Sequence, residues 1–281
     1  MIKKNSSINN KFKVGIIGYG KMGSSLIRGA LKSGILKKDC LIVYDSDEKR
    51  TQIARNEGMM TVDTLAEFVS CKAVILAVKP KDMPSLLDHL KQILNNAPDP
   101  KPLIISIAAG VRLSYLASAL GKDSRIIRVM PNIAASVNES VSVFVPNEKT
   151  TEEDIEFVNS MLEGVGLSIK LKDESLLDVV TGLSGSGPAY FFLLMKAMEE
   201  VGKKYGLNND LIRMIIAQTC KGAGKVAQVS KEPLDQLISS VASPGGTTEE
   251  ALRVMNSRGF SSIVYEAVSA AIEKSKRMGY S

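Results

Sequence analysis

The sequence contains no tryptophan, one histidine and three cysteines among 281 residues, and aromatic residues make up 5% of it. The cysteines, Cys40, Cys71 and Cys220, are odd in number and lie far apart in apolar surroundings, so we expect no disulfide and no metal site. The single histidine, His89, falls in the pattern of a surface helix. Acid–base chemistry that depends on histidine is therefore not expected.

Long hydrophobic runs are also missing. No apolar stretch approaches the roughly 20 residues that span a bilayer, and residues 1–10 lack the apolar core of a secretion signal. We therefore expect a cytoplasmic protein. Hydrophobic residues, at 44%, are ample for a packed core in one large domain or two medium ones.

The net charge of +6 comes from the first half of the chain. Residues 1–150 carry 22 Lys and Arg against 13 Asp and Glu, whereas residues 151–281 carry 14 against 17. The lysines of the first half are scattered among apolar strands, without the aromatic residues that line nucleic-acid grooves. We expect no nucleic-acid partner, because a small phosphorylated cofactor accounts for the charge bias as well.

A glycine-rich turn links the first predicted strand to the first helix. The apolar run Lys11–Ile17 leads into Gly18-Tyr19-Gly20-Lys21-Met22-Gly23, and a helical pattern follows. This G-x-G-x-x-G is typical of dinucleotide-binding folds: Gly18 permits the tight turn, Gly20 lets the backbone reach the pyrophosphate, and Gly23 lets the helix pack on the strand. The backbone amides of the helix are expected to face the phosphates.

The acid that ends the second predicted strand, Asp45, bears on the choice of cofactor. A carboxylate there accepts hydrogen bonds from the ribose of NAD and repels the 2′-phosphate of NADP, whereas Lys49 and Arg50 offset that repulsion. NADP and NAD therefore both remain open. The structural alternative for Asp45 is a cap on the helix that contains Glu48.

Further apolar strands, at 73–78, 102–107, 125–130 and 141–145, alternate with helical segments. They predict a doubly wound parallel sheet that binds ligands at the carboxyl ends of its strands. Small residues at these ends let a flat ring lie against the backbone; they are found in Ala77-Val78-Lys79-Pro80, Ala108-Ala109-Gly110 and Met130-Pro131-Asn132. Lys79 either reaches a ribose or phosphate oxygen or is a solvated loop lysine.

Beyond a last strand at 167–171 the periodicity is helical. We therefore predict an α/β fold with an N-terminal Rossmann-like domain in residues 1–171 and an all-helical domain in residues 172–281. In the second domain, 191–195 is apolar on every side of a helix, which predicts pairing with a second copy of the chain; the alternative is a helix buried within one chain. A Gly- and Ser-rich stretch, Thr181–Tyr190, predicts close approach of the backbone to a neighbour.

The stretch Ser243-Pro244-Gly245-Gly246-Thr247-Thr248-Glu249-Glu250 predicts a turn followed by a helix. Its proline and glycines bend the backbone, its threonines can cap the helix, and its glutamates suit the first helical turn. The open amides form a seat for a small carboxylate, with a threonine hydroxyl beside it. The alternative is an ordinary capped loop.

In these motifs the chain resembles the pyrroline-5-carboxylate reductases, from Lys13 to about Arg277. The resemblance is carried by Leu183-Ser184-Gly185-Ser186-Gly187-Pro188-Ala189-Tyr190, by Ser243 to Thr248, by the three strand ends already named and by Ser106-Ile107 before the second of them. It implies a Rossmann domain, a helical dimerisation domain that binds substrate, and dimers often assembled into rings. It also implies reduction of the cyclic imine 1-pyrroline-5-carboxylate to L-proline by NADPH or NADH.

The resemblance implies roles for single positions as well. The cofactor is expected at Gly18 to Gly23, Ala77 to Pro80 and Ala108 to Gly110, in addition to Asp45, which its place at the end of the second strand indicates. The substrate carboxylate is expected on the amides of Gly246, Thr247 and Thr248, with the Thr248 hydroxyl beside the imine nitrogen as the catalytic group. Two departures bear on cofactor preference: Thr64 replaces an Asn expected near the adenine ribose, and Ile133 replaces a Thr after Met-Pro-Asn.

Two other functions fit parts of the pattern. A 3-hydroxyacid dehydrogenase needs a lysine base on the first long helix of the second domain, where Lys196 is the candidate but lacks an adjacent Asn. A cofactor sensor that has lost catalysis has no need of Gly246-x-Thr248. Because an imine protonates readily, a carboxylate seat, a stacked nicotinamide and one hydroxyl suffice for its reduction without a histidine.

Overall fold

The computed structural model describes residues 13–96 and 99–278. They form two compact units: the described part of Met1–Ser186 together with that of Ala271–Ser281, and Gly187–Ala270. Residues 1–10, on which the expectation about a secretion signal rests, lie outside the described residues. The units separate after Ser186, whereas the strands end near residue 170, so the domain boundary after residue 171 stays a prediction.

Eight strands form one sheet in the order β3-β2-β1-β4-β5-β6-β7-β8. Their bounds are β1 Val14–Ile17, β2 Leu41–Tyr44, β3 Met60–Thr61, β4 Ala73–Leu76, β5 Leu103–Ser106, β6 Ile126–Met130, β7 Ser140–Pro146 and β8 Gly166–Lys170. All residues of β1, β4 and β5 are buried, because helices cover both faces of the sheet. The predicted Rossmann-like architecture is confirmed.

The helices of the first unit alternate with most of the strands. Their bounds are α1 Lys21–Lys32, α2 Glu48–Asn56, α3 Met83–Asn95, α4 Leu113–Leu120, α5 Glu152–Glu163 and α6 Leu176–Val180. The apolar side chain of Leu177 on α6 packs against Val143 and Val145 of β7, which explains why this segment belongs with the sheet.

Two strands, β7 and β8, run opposite to the other six and so depart from the parallel arrangement that the sequence predicts. β7 pairs with β6 in antiparallel fashion, and β8 then runs parallel to β7. The connection between β6 and β7 contains the short 3₁₀ turn Ile133–Val137 and no crossover helix, whereas a parallel return needs a dozen or more residues. Both strands were predicted, but the direction expected for them was wrong.

The second unit is built from helices, as predicted. They are α7 Gly187–Lys204, α8 Asn209–Val229, α9 Leu234–Val241, α10 Thr247–Ser257 and α11 Phe260–Met278, whose last residues belong to the first unit. Gly202 lets α7 and α8 pack closely, because a Cβ there would lie 3.0 Å from the Ile212 side chain. None of the helices in the described part of the chain is both long and apolar enough to cross a bilayer.

The Gly- and Ser-rich stretch forms a wide π-helical turn, Thr181–Gly185, between α6 and α7. A Cβ on Gly185 would lie 2.5 Å from Cε of Met130, so the predicted close approach of the backbone is confirmed there. The Ser184 hydroxyl accepts a hydrogen bond of 3.1 Å from the Asn132 amide group. Both contacts join this turn to the end of β6.

The end of α11 returns to the first unit. Ser275 donates a hydrogen bond of 2.7 Å from its hydroxyl to the carboxylate of Asp178 on α6. The guanidinium of Arg112 lies 3.8 Å from the other oxygen of the same carboxylate, whose side chain is 7% exposed. A buried charge is thus met by partners from two distant parts of the chain.

Candidate functional site

A groove of about 950 Å³ opens in the first unit where β1, β2, β4 and β5 end. This volume lies near the upper end of the range of about 300–1,000 Å³ for small-molecule sites. Many residues predicted to contact the cofactor line it: Gly18, Gly20, Lys21, Met22, Asp45, Ala77, Val78, Lys79, Pro80, Ala108 and Ala109. The fold therefore brings three separate sequence motifs to one side of the sheet.

The glycine-rich turn has the geometry of an anion site. Gly18 has φ +99°, and a Cβ there would lie 2.7 Å from the carbonyl oxygen of Ala77. Gly20 is the N-cap of α1 and no side chain caps the helix there. Because the first amides of a helix have no partner inside it, those of α1 are open to a phosphate.

Gly23 contributes packing, as predicted, and is not among the groove-lining residues. A Cβ on it would lie 2.4 Å from the Gly18 carbonyl oxygen and 2.9 Å from Cβ of Ala77. Only glycine therefore lets α1 approach β1 and β4 this closely.

Three other residues predicted to contact the cofactor do not line the groove. The Tyr19 side chain is 3% exposed and packs into the core. Gly110 is buried in a turn with φ +75° behind Ala109. Thr64 is exposed, and its neighbour Leu65 lines the groove instead.

The carboxylate of Asp45 is held by the protein itself. Its oxygens accept hydrogen bonds from the amides of Tyr19 at 2.6 Å and Asp47 at 2.9 Å, and Arg50 lies 3.5 Å away. The side chain is 4% exposed, although the residue lines the groove. The helix-cap alternative for Asp45 was wrong, because Asp47 caps α2 by accepting from the Lys49 amide at 3.0 Å.

The groove also includes residues that were not predicted as cofactor contacts: Ile17, Tyr44, Ser46, Asp47, Arg50, Leu65, Lys81, Asp82, Ser85, Leu86, His89 and Ile107. Of the two cations considered beside Asp45, Arg50 lines the groove. His89 is an exposed residue of a surface helix, as predicted, and its Nδ1 lies 2.9 Å from the Ser85 carbonyl oxygen. For the missed residues between Lys81 and His89 a signal was available, since α3 begins just after the predicted Lys79-Pro80 strand end.

The cysteines are free thiols, and two of them are buried. Burial in apolar surroundings raises the pKa of Cys71 to about 12, and desolvation with a hydrogen bond to Asp39 raises the pKa of Cys40. A thiol that stays protonated is a poor nucleophile. Among the residues that the structure describes, no group of three or more His, Cys, Asp and Glu is arranged to hold a metal ion.

In the second unit, the predicted turn and helix are present. Gly245 has φ +72°, and the Gly246 amide donates a hydrogen bond of 2.9 Å to the Ser243 carbonyl oxygen. A Cβ on Gly246 would lie 2.9 Å from that oxygen, so the turn requires glycine there. Glu249 accepts a hydrogen bond of 2.7 Å from the Gly245 amide and fixes the turn to α10.

The threonines do not cap α10, so that prediction was wrong. The N-cap is Gly246, with no side-chain cap, and Thr247 and Thr248 lie inside the first helical turn. The Thr247 side chain is exposed, whereas Thr248 is half-buried. Of the three amides predicted to bind the carboxylate, those of Thr247 and Thr248 are therefore open at the start of α10, whereas that of Gly246 already donates to the Ser243 carbonyl oxygen.

The long apolar helix α7 is not buried within one chain, so that alternative was wrong. Phe191, Phe192 and Leu193 have exposed fractions of 56%, 59% and 69%. Lys196, the candidate base of a hydroxyacid dehydrogenase, is an exposed residue of the same helix. A contiguous apolar face of this kind indicates a protein–protein interface.

Two family models match the chain. Residues 174–278 match the model described as pyrroline-5-carboxylate reductase dimerisation, and residues 13–110 match the model described as NADP oxidoreductase coenzyme F420-dependent. Curated relatives align along nearly the whole chain. The pyrroline-5-carboxylate reductase of Methanosarcina acetivorans is 37% identical over 270 residues, which are 95% of this chain and 98% of that protein.

Other relatives agree. The pyrroline-5-carboxylate reductase of Escherichia coli is 35% identical over 271 residues, covering 96% of this chain and 99% of the relative. A crystal structure of Plasmodium falciparum pyrroline carboxylate reductase with NADP bound superposes with a TM-score of 0.87 at 32% identity. That match covers 96% of this chain and 99% of the other.

Proposed function

The chain belongs to the pyrroline-5-carboxylate reductase family, and from this we infer that it reduces 1-pyrroline-5-carboxylate to L-proline with NAD(P)H. The observation that carries this inference is the alignment with reductases along almost the full length of both chains. The glycine-rich groove supports it independently, because its shape and its helix N-terminus suit a dinucleotide.

The residues of the first unit fit the cofactor. The open amides at the start of α1 suit the pyrophosphate, and Gly20 leaves room for it. Ala77 to Pro80 and Ala108 to Ala109 offer small side chains and backbone along the groove, against which the ring and ribose can lie. When bound, the cofactor supplies the hydride.

In the second unit, we assign the substrate carboxylate to the amides of Thr247 and Thr248. Gly246 leaves room for the carboxylate, but its own amide donates to the Ser243 carbonyl oxygen. Support comes from the uncapped start of α10, where positive partial charge gathers. We assign the catalytic role to the Thr248 hydroxyl, which holds a hydrogen bond at the imine nitrogen. Thr247 contributes its amide, since its side chain is exposed.

This division of labour needs no strong acid. An imine nitrogen is basic enough to take up a proton readily, so a hydroxyl that orients the nitrogen and a helix end that fixes the carboxylate are sufficient. Positioning is then the main contribution of the protein. The exposed Lys196 has no role in this scheme.

The reductase works as a homo-oligomer, built from the helical region that matches the dimerisation model. We propose that residues 1–171 form the cofactor domain and residues 172–281 the substrate and dimerisation domain. We also propose that it works in the cytoplasm, which its free thiols and its use of a reduced nicotinamide support.

The test is the loss of nicotinamide absorbance on mixing purified protein, NADPH or NADH, and 1-pyrroline-5-carboxylate. We expect oxidation that depends on the imine, with proline as the product. The control reaction contains oxidised cofactor and a 3-hydroxyacid, and we expect no change there. Turnover of the hydroxyacid without turnover of the imine would contradict the proposed function.

A further inference from the structure

We propose that Tyr19, Arg28 and Glu57 form a tyrosine clamp, a set of positioning residues that holds the glycine-rich turn in its cofactor-binding conformation. The clamp residues are not expected to touch the cofactor; they act through the turn and through Asp45. The inference rests on the proposed function, because it presumes that the turn binds a nicotinamide dinucleotide.

The first observation is the place of the Tyr19 side chain. It projects from the middle of the turn, between Gly18 and Gly20, yet it is 3% exposed and belongs to the core. Its hydroxyl donates a hydrogen bond of 2.8 Å to the carboxylate of Glu57, at the end of α2. The turn is thus tied to a helix that lies 38 residues further along the chain.

The second observation concerns the main chain of the same residue. The Tyr19 amide donates a hydrogen bond of 2.6 Å to Asp45, at the end of β2. The side chain and the backbone of one residue are therefore fixed to two different elements. Rotation of the turn would break both bonds, so the peptide between Gly18 and Gly20 has one favoured orientation.

The third observation is the support of Glu57 itself. Arg28 on α1 donates to both carboxylate oxygens, at 2.6 Å from its terminal nitrogen and 3.1 Å from Nε, and its guanidinium lies 5.9 Å from the centre of the Tyr19 ring. Lys38 donates a hydrogen bond of 2.6 Å to the Glu57 carbonyl oxygen. The acceptor for the tyrosine is thus held at its side chain and at its backbone.

The protonation states suit this role. The hydrogen bond from Arg28 lowers the pKa of Glu57, so its carboxylate stays ionised. Burial, together with the Glu57 carboxylate, raises the pKa of Tyr19, so its hydroxyl keeps the proton that it donates. Tyr19 therefore remains the donor and Glu57 the acceptor of this hydrogen bond across the neutral pH range.

The need for a clamp follows from the composition of the turn. Glycine loses more conformational freedom on ordering than any other residue, and Gly18 and Gly20 flank the clamped position. A turn that is already ordered before binding does not lose that freedom when the cofactor arrives. Loss of one hydrogen bond of the clamp should therefore weaken cofactor binding by about 3- to 10-fold.

The first experiment compares Tyr19→Phe with the wild type by calorimetric titration with NADP⁺ and by steady-state kinetics. We expect Kd for NADP⁺ and KM for NADPH to rise about 3- to 10-fold, with kcat and the KM for the imine within about twofold. The matched control is Tyr115→Phe, which removes a phenol from a half-buried residue on α4, outside the groove. It should bind NADP⁺ like the wild type.

The second experiment uses Glu57→Gln, which keeps an acceptor for the Tyr19 hydroxyl and loses the charge that holds Arg28. We expect a smaller rise in Kd than for Tyr19→Phe, and faster amide exchange in residues 18–20 of the cofactor-free protein. Asp123→Asn is the control, since it breaks a 2.9 Å ion pair with Lys149 at an exposed site outside the groove. In the Asp123→Asn variant, amide exchange in residues 18–20 should match that of the wild type.

A Tyr19→Phe variant with a lower Tm and an unchanged Kd for NADP⁺ would overturn the clamp and leave a purely structural contact. So would equal increases in the KM of NADPH and of the imine. Failure of the proposed function looks different, because wild-type protein would then not reduce the imine with either cofactor. The binding and exchange measurements would still decide the clamp.

Discussion

The two units of the chain differ in how many of their apolar side chains are buried. In the first unit, helices cover both faces of the sheet, and strands β1, β4 and β5 are buried at every residue. Throughout Gly187–Ala270, which the structure describes in full, the buried apolar residues are Ile212 and Ile216 alone. Large side chains such as Leu193 and Met214 are more than two-thirds exposed there.

The two units therefore obtain their stability from different sources. The first unit completes a core within one chain, so its fold and its groove need no partner. The second unit has helices but little core, and burial of its exposed face requires a second copy of the chain. The first unit is self-sufficient, whereas the second unit depends on assembly.

The largest expected effect comes from Leu193→Glu on α7. Placing a charge in the apolar face should weaken the dimer by at least about 30-fold, the effect of a residue at the centre of an interface, and should lower Tm. Analytical ultracentrifugation at micromolar protein measures the change. The control is Met60→Glu, at a residue of the first unit that is 51% exposed, which should leave the mass unchanged.

A dimer of normal mass in Leu193→Glu would show that the exposed face of α7 is not the interface. The contrast between the units would then rest on some other helix. Met214 on α8 would be the next position to change, since its side chain is 68% exposed.

A second variant, Gly23→Ala, tests the packing of the first unit. Its Cβ would lie 2.4 Å from a backbone oxygen, so α1 must move away from the sheet. We expect a loss of stability of about 1–3 kcal/mol, as for other overpacked positions, and a rise in the Kd of NADP⁺. Thermal unfolding and calorimetric titration measure the two effects.

Gly222→Ala on α8 is the matched control for that variant. A Cβ there meets no atom within 4 Å in a single chain. Alanine should therefore stabilise the helix, by about 0.5–1 kcal/mol. A large loss of stability would instead show that the partner chain packs against Gly222, which would sharpen the contrast between the units.

The third variant, Thr248→Ala, tests the chemistry of the second unit with little effect on its stability. Loss of one hydrogen bond to the transition state should lower kcat by about 10- to 100-fold, or about 1.4–2.7 kcal/mol. Steady-state kinetics at saturating NADPH measures it. Thr247→Ala keeps its backbone amide, so its kcat should fall much less than that of Thr248→Ala. Equal decreases in kcat in the two variants would refute the assignment.

The smallest effect concerns pH. The pKa of Glu57 lies below its ordinary value of 4.5 in the folded protein, because Arg28 donates to its carboxylate. The stability that this carboxylate contributes is present above that ordinary value and is lost as the pH falls through the lower pKa of the folded state. Wild type and Glu57→Gln should therefore differ in Tm above pH 4.5 and converge as the pH falls through the lower pKa of the folded state.

That convergence is measured by thermal unfolding of both proteins from neutral to acidic pH. A difference in Tm that stays constant down to the acid limit would mean that the charge of Glu57 does not stabilise the fold. Asp123→Asn serves as the reference at an exposed carboxylate whose pKa a lysine lowers.

Much of the fold could be predicted from the sequence, because its local signals agree with one another. The glycine motif between a strand and a helix, the apolar strands and the helical periodicity after residue 171 each match what the structure shows. The direction of β7 could not be predicted from its apolar pattern, since parallel and antiparallel strands share it. The length of the connection from β6 was the available signal.

The parts of the site that are formed by the backbone could be predicted from the sequence, whereas those that depend on side-chain positions were predicted less well. Gly18 and Ala77 are local features of turns, and both reach the groove. The side chain of Tyr19 looked like a groove residue because of its place in the motif, yet a carboxylate 38 residues away draws it into the core. Threonines ahead of a helix suggested a cap, but Gly246 took that position.

The hydrogen bond between Ser275 and Asp178 has a consequence for folding of the chain during its synthesis on the ribosome. Because the first unit includes residues from Ala271 onward, it cannot reach its final packing until the ribosome has made all of Gly187–Ala270. Until then, the Asp178 carboxylate in the newly made part of the first unit lacks its hydrogen bond from Ser275. Folding of the two units is thereby coupled in time, although each has its own architecture.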